Sequence, residues 1–470
     1  MGRDWLTDLK VRIRDSSGLV VEARWQALAA LACFCYVLAF RAHGISDALW
    51  FRGDQVRDWA QALGPFADLP RSGVPSTAGG TTLGPVYYWF LWLVARIAHP
   101  LIGSLPHAGG FAVAALQSTA DAVLLLALFR RLQSPLLALV IVVAGATCGY
   151  DATLSSTIWN PPVAAACAKL SIAVVLWNRD LTIGRIVLAT IVSWIAVQCH
   201  TSGFIVAIPV LAWLFAAPAW ARDWGAVGIS AGVVATIVLL LQVPLLTSRH
   251  EEQTAPRRIT SSIATVLSDP IHTVHAGASS TFVARVLHFN LVRPFDENQK
   301  TLPLFAAALV GASIATMALT RDAALLVVSI GPLLTAVALF AFWQGPLDEV
   351  YWSLVLIPAA GVALLAWIDR IGTRAGAVLV TALALVLIAA QPARAQMAWS
   401  FLRWPQYGAI VKACQSIASR GVEVRGMQTT FEVPPDAKPE WLCTLAGATI
   451  RSNESAPLAI VDPGGAVSYR

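Results

Sequence analysis

Run after run of mostly apolar residues, each long enough to fill a bilayer, decides what solvent this chain folds in. A helix needs about 20 such residues to span the hydrocarbon. Candidate spans lie near 25–42, 109–130, 135–150, 161–178, 184–200, 203–218, 225–246, 303–320, 323–343, 352–369 and 374–392, eleven in all. Composition agrees: 57% of the 470 residues are hydrophobic and 13% are charged. Mean hydropathy is +0.66. A soluble protein carries about 25% charged residues. The net charge of +6 is not gathered into the basic face that nucleic-acid binding requires. The expected fold is an all-α polytopic membrane protein.

Charge placement orients it. Arg3, Lys10, Arg12, Arg14 and Arg24 precede the first span, which marks 1–24 as a cytoplasmic segment. That stretch is long, charged and amphiphilic, and no cleavage site is evident after it, so it does not read as a signal peptide. A twelfth apolar run, 85–103, is ambiguous. If it lies flat at the outer interface, Arg130, Arg131, Arg179, Arg222, Arg321, Arg370 and Arg374 all fall on the cytoplasmic side; if it crosses, all fall outside. We therefore read 85–103 as an interfacial helix. Its Tyr87, Tyr88, Trp89 and Trp92 suit that depth, and His99-Pro100 is expected to interrupt it.

This places 25–392 as the membrane domain, with outer loops 43–108 and 247–302, and 393–470 as a small outer α+β domain. The prolines at 434, 435 and 439 and the β-prone run 457–461 support the latter. The C-terminus is then periplasmic, in a bacterial inner membrane. Cys33, Cys35, Cys148, Cys167 and Cys199 sit in or beside apolar segments and read as small buried hydrophobes. Cys414 and Cys443 lie in the polar tail, where an oxidising compartment allows them to pair. No zinc-ligand spacing occurs.

Four loop segments carry residues suited to chemistry. The first loop opens Phe51-Arg52-Gly53-Asp54-Gln55-Val56-Arg57-Asp58. A partly buried carboxylate at a membrane surface can serve as a general base; Asp54 would equally serve as a solvated loop acid or helix cap. Gly73-Val74-Pro75-Ser76-Thr77-Ala78-Gly79-Gly80, then Leu83-Gly84-Pro85-Val86-Tyr87-Tyr88, offers accessible backbone N–H groups ahead of a helix, suited to a sugar or phosphate, or forms a flexible linker. Trp159 and Asn160, before Pro161-Pro162, could stack on and hydrogen-bond a sugar, although prolines there also mark a helix start. His200 sits in the bend Gln198-Cys199-His200-Thr201-Ser202-Gly203, where a structural role competes. The 247–302 loop is long and basic, and its arginines suit a phosphate. Asp121 and Lys169 lie deep in apolar spans, where ionisable residues seek partners; we expect them to pair with each other.

Taken in order, Gly53-Asp54-Gln55, Gly84-Pro85-Val86-Tyr87-Tyr88, Ile158-Trp159-Asn160-Pro161, Gln198-Cys199-His200-Thr201-Ser202 and Tyr351-Trp352 with Pro358 resemble the GT-C membrane glycosyltransferases, in the branch of the protein O-mannosyltransferases and the lipid A aminoarabinose transferase. The resemblance covers about residues 25–392. It implies a polyprenyl-phosphate-linked sugar as donor, an acceptor on a glycan, lipid or protein, and inversion at the anomeric carbon. It makes Asp54 the base, with Asp58 the rival one helical turn away. It implies no cofactor and no metal: relatives often carry an acidic residue directly after the first-loop Asp, and here Gln55 stands there. Where relatives often have His-Tyr before the late Pro, this chain has Tyr351-Trp352. Candidate substrate contacts are Arg57, Tyr87, Tyr88, Trp159, Asn160, His200, Arg257, Arg258, Arg293 and Tyr351. Two other classes compete. A lipid-linked sugar transporter or flippase would spread polar residues and broken helices through the spans. A non-catalytic scaffold would not need the ordered loop motifs.

Overall fold

The computed structural model describes residues 24–470 except 76–80, 82, 133–134, 178–180, 248–275, 292–299, 321, 342–348, 435, 452–454 and most of 372–402. Arg257, Arg258 and Arg293, the side chain of Tyr351 and most of the candidate span 374–392 lie outside the described residues.

The apolar runs form helices: α1 (24–42), α5 (His107–Arg131), α6 (Pro135–Ala146), α8 (Asn160–Leu176), α9 (Ile183–Cys199), α10 (Phe204–Trp220), α11 (Trp224–Leu246), α13 (Leu302–Leu319), α14 (Ala323–Ala341) and α15 (Glu349–Ile371). Between them lie α2 (Ile45–Ala48), α3 (Asp54–Leu63), α4 (Val86–Ile102), α7 (Gly149–Leu154) and α12 (Ala276–Leu291). Among the described residues, five segments are long and apolar enough to cross a membrane unaided: Arg24–Ala48, His107–Arg131, Thr201–Trp220, Trp224–Pro244 and Ala323–Ala341. The expected count of eleven is not reached on that measure. Val86–Ile102, Pro135–Ala146, Asn160–Leu176, Ile183–Cys199, Leu302–Ala318 and Trp352–Ala363 are apolar helices of 10–17 residues. At 1.5 Å per residue a 17-residue segment rises about 26 Å, short of a hydrocarbon core of about 30 Å, whereas the whole of α15, Glu349–Ile371, rises about 35 Å.

The central helix is α8. Its run Val163-Ala164-Ala165-Ala166-Cys167-Ala168 is buried throughout, and small residues let backbones approach closely inside a bundle. It packs against α5 on one side and α9 on the other. Lys169, in its middle, is 2% exposed. The expected Asp121–Lys169 pair is present, with Nζ 2.8 Å from Asp121 Oδ1, but it is half of a larger unit. Lys169 also reaches Asp151 Oδ2 at 2.8 Å. Arg41, at the end of α1, pairs with Asp121 Oδ2 at 2.7 Å and with Asp151. Gln117 accepts from Lys169 at 2.9 Å, and Ser118 accepts from Arg41 at 3.2 Å. Two cations and two anions thus cancel, and all four are essentially inaccessible.

α4 corrects one expectation. Pro100 does not interrupt it; the helix runs on to Ile102 and ends at Gly103. Only one residue of the helix precedes Gly103 after Leu101, so the break belongs to that glycine and not to the proline. Tyr87, Tyr88, Leu91 and Ala95 face inward, while Leu93, Ile97 and Leu101 are exposed. One apolar face therefore packs on protein, and another stays uncovered.

The tail is α+β, as expected. It comprises α16 (Tyr407–Arg420), β1 (Gly426–Thr429), α17 (Pro439–Leu445), β2 (Leu458–Val461) and β3 (Val467–Tyr469). The sheet order is β1-β2-β3. β1 and β2 are parallel, with Gly426 opposite Leu458; β2 and β3 are antiparallel, with Ala459 opposite Tyr469. A disulfide between Cys414 and Cys443 joins α16 to α17. The tail docks on the first loop: Trp404 N–H donates to the Ala48 carbonyl at 3.2 Å, Phe51 stacks on Trp441 with ring centroids 5.9 Å apart, and the His107 ring nitrogen meets the Tyr407 hydroxyl at 3.2 Å.

The buried cluster sets a test. Lys169→Met leaves one net buried negative charge, and breaking a buried pair in this way costs about 3–5 kcal/mol. The double variant Lys169→Met/Asp121→Asn restores neutrality and is expected to melt above the single variant in detergent. A double variant that melts no higher would contradict a charge-balanced cluster.

Candidate functional site

Local sequence explains how the first loop presents its carboxylates. Gly53 has φ +52°, a left-handed backbone that favours glycine, and its N–H donates to the Asp436 carbonyl of the tail at 3.4 Å. That turn starts α3 at Asp54, where the helix N-terminus favours negative charge. Within α3, Gln55, Val56, Asp58, Trp59 and Ala62 are buried, a spacing that lays one face of the helix on the protein. Trp59 donates to the Ser104 carbonyl at 2.9 Å and pins that face.

Asp54 and Asp58 stand one turn apart but meet different environments. The Asp54 side chain is 47% exposed; that of Asp58 is 0% exposed. Arg57 bridges them. Its Nη1 donates to Asp54 Oδ1 at 2.8 Å, and its Nε donates to Asp58 Oδ1 at 2.8 Å. The Tyr88 hydroxyl, from α4, donates to the same Asp58 oxygen at 3.3 Å. Burial pushes the Asp58 carboxyl up to about 6, and the adjacent Arg57 guanidinium limits the rise. Among the described residues, Asp58 Oδ2 and the Tyr87 hydroxyl are buried with no hydrogen-bond partner.

α4 is held in place from α9 and α11. A Cβ at Gly84 would lie 2.4–2.7 Å from the Gln198 side-chain amide, so a larger residue there would have to displace that amide. Gln198 donates to Gln242 Oε1 at 2.9 Å, and Gln242 donates to the Leu83 carbonyl at 3.0 Å. Tyr87, Ile158, Val163 and Cys199 join Trp59, Tyr407 and Cys443 in one apolar cluster. The first loop, the 150–160 segment, the α9–α10 bend and the tail therefore pack together.

The other predicted contacts are placed less openly. The 150–160 segment is no open loop: α7 occupies its first half, and 151–158 is buried. Asn160 is 4% exposed, and its amide donates to the Cys199 carbonyl at 2.7 Å. Trp159 is half-buried against the membrane-domain core. His200 caps the turn that follows it: its Nδ1 accepts from the Ser202 backbone N–H at 3.1 Å. Its ring stands edge-on to Trp352, centroids 6.1 Å apart. Burial pushes its pKa down to about 4, so at neutral pH it offers hydrogen bonds and no positive charge. A separate cleft opens beside Asp121, Asp151 and Lys169, walled by Leu124, Leu128, Ile141, Ile357 and Val362; no first-loop residue lines it. Sequence reading missed Arg41 and Asp151 as cluster members, and Gln198 and Gln242 as the clamp on Leu83-Gly84. Among the described residues no group of His, Cys, Asp and Glu is arranged to hold a metal.

No family model and no curated protein matches this sequence. Solved structures do. The crystal structure of ArnT from Cupriavidus metallidurans bound to undecaprenyl phosphate aligns with a TM-score of 0.50 and 14% identity, covering 95% of this chain and 93% of that one. The same protein in its apo state gives 0.50 and 12% over the same shares. The chain shares the fold of these structures. The apo oligosaccharyltransferase of Archaeoglobus fulgidus also aligns, with a TM-score of 0.50 and 15% identity, over 92% of this chain and 61% of that one. At these identities the likeness is one of fold. It extends over nearly the whole ArnT chain, and both GT-C neighbours are membrane glycosyltransferases.

The buried carboxylate gives a pH prediction. A carboxyl whose folded pKa lies above its unfolded value binds its proton more tightly when folded. The stability this contributes is fully present below the unfolded pKa of about 4 and is lost as pH rises through about 6. Asp58→Asn, neutral at every pH, should therefore melt at or above wild type at pH 7.5, with the gap worth up to about 3 kcal/mol and shrinking toward pH 4.5. Thermal unfolding of both proteins across that range checks it; a variant less stable at pH 7.5 than at pH 4.5, relative to wild type, would reverse the sign.

Proposed function

We propose that this chain is an inverting glycosyltransferase that moves a sugar from a polyprenyl-phosphate carrier to an acceptor on a glycan, lipid or protein, at the outer face of a bacterial inner membrane. The observation that carries the reading is Asp54: a half-exposed carboxylate on the first turn of a rigid helix, where the outer-side loops and the tail converge on a GT-C membrane domain. The ArnT structure with undecaprenyl phosphate makes such a lipid the first donor carrier to try.

In this reading Asp54 takes the proton from an acceptor hydroxyl or amine. The acceptor atom bonds to the anomeric carbon as the bond from that carbon to the phosphate oxygen breaks. Polyprenyl phosphate leaves, and the configuration at that carbon inverts. Asp58 is the weaker candidate base because it is enclosed and held by Arg57 and Tyr88. Tyr87 and Tyr88, buried beside α3, are candidate substrate contacts, and neutral His200, Trp159 and Asn160 are the candidate sugar contacts. The donor phosphate is assigned to the basic 247–302 loop with Arg257, Arg258 and Arg293. Tyr351 is a further candidate substrate contact. No metal or cofactor takes part in the step as written, so a chelator should leave turnover unchanged.

The N-terminus is placed in the cytoplasm and the tail outside. The Cys414–Cys443 disulfide, and the docking of the tail on the first loop, support that placement, since structural disulfides persist in oxidising compartments. Non-reducing mass spectrometry of protein taken from membranes should find these two cysteines joined; finding them as free thiols would count against an outer tail.

The catalytic test uses a panel of synthetic undecaprenyl-phosphate hexoses and pentoses, with released undecaprenyl phosphate as the readout. Asp54→Asn should lower turnover by about 10²- to 10⁴-fold while donor binding is retained. Turnover at the wild-type rate in that variant would remove Asp54 from the mechanism.

A further inference from the structure

We propose that Asp58 is a positioning residue, which holds Arg57 so that Arg57 in turn orients the Asp54 carboxylate; this rests on the reading of Asp54 as the base. Three observations on three side chains carry it. Asp58 is fully enclosed and fixed twice, by its place on the inward face of α3 and by the Tyr88 hydroxyl from α4. Arg57 turns one edge of its guanidinium to Asp58, with Nε and Nη2 both 2.8 Å from Oδ1. The remaining nitrogen, Nη1, points outward to Asp54 Oδ1 at 2.8 Å.

An ion pair between two exposed side chains fixes little, because ordering a long arginine opposes the modest Coulomb gain. Here the arginine is 34% exposed and already anchored at its inner edge. A planar fork held on one side loses little further freedom when it holds a second partner. The half-exposed Asp54 therefore acquires a preferred orientation from a residue that never meets the acceptor. Two carboxylates four residues apart on a helix repel, and Arg57 between them removes that penalty. Nearby ionisable groups are Asp54, Arg57, Tyr87 and Tyr88. A base must sit within hydrogen-bond reach of the proton it takes, and misplacement by about 1 Å can cost on the order of 100-fold in rate.

The test uses the full-length protein in nanodiscs and the same donor panel. Asp58→Asn and Arg57→Ala should each lower kcat by about 10- to 100-fold, with the donor KM changed less than about twofold. The double variant should be no slower than the slower single, because the two act as one unit. Asp58→Asn should melt no lower than wild type at pH 7.5, whereas loss of a merely structural residue would lower the melting temperature. If Asp58→Asn does not fold, Tyr88→Phe removes only the hydroxyl's bond and should show a smaller kcat loss of the same kind.

Losses that multiply in the double variant would overturn the inference. So would wild-type kcat in Asp58→Asn beside an inactive Asp54→Asn; that result leaves Asp54 as the base. Loss in Asp58→Asn with Asp54→Asn still active would overturn both readings and make Asp58 the base. If wild type turns over none of the donors, the structure of Asp58→Asn decides. Arg57 released from Asp54 supports the proposal, and an Arg57–Asp54 contact kept at about 2.8 Å overturns it.

Discussion

Four charges that cancel inside the membrane domain hold this architecture together. Arg41, Asp121, Asp151 and Lys169 come from α1, α5, α7 and α8, and each cation touches both anions. An isolated charge in that environment is strongly disfavoured, so each of these elements is constrained to the position that completes the set. Unlike apolar packing, which tolerates sliding, the cluster admits one register. It fixes the end of α1, from which the first loop leaves, against α7, which begins the segment leading to Trp159 and Asn160.

The site follows from that frame. α2 and the Gly53 turn carry the chain from α1 to Asp54. α3 then lays Asp58 and Trp59 inward, against α4 and the start of α5. α4 is clamped at its start by Gln198 and Gln242. The tail covers the loop from the other side, through Asp436 on Gly53 and Trp441 on Phe51, and its own two helices are tied by the disulfide. Asp54 is thus reached by solvent while its backbone is held from the membrane domain and the tail together.

What could be read from residues alone divides along physical lines. The helical membrane class, the small α+β tail and the Asp121–Lys169 pair were legible, because long apolar runs and charges stranded within them have few solutions. Arg41 and Asp151 were not. Both lie at the ends of apolar runs, where a charge ordinarily reaches water, and only tertiary packing turned them inward. The different fates of Asp54 and Asp58 were equally hidden. Spacing puts both on one side of a helix, but which one is enclosed depends on Tyr88, thirty residues away. Pro100 misled because its position, two residues before the helix end, is harmless where a mid-helix proline is not. The eleven-span count rested on apolar length alone; among the described residues five segments meet that measure, and most of 374–392 lies outside them.

The account stands on the first loop and the tail sharing the outer face of the membrane. Single cysteines at the exposed positions Ala67 and Ser419, in a background with Cys35 replaced, can be labelled on intact cells with a membrane-impermeant maleimide after the outer membrane is opened. The account predicts that both label without permeabilising the inner membrane. Labelling of Ala67→Cys only after that membrane is breached would contradict it, because Asp54 would then face the cytoplasm.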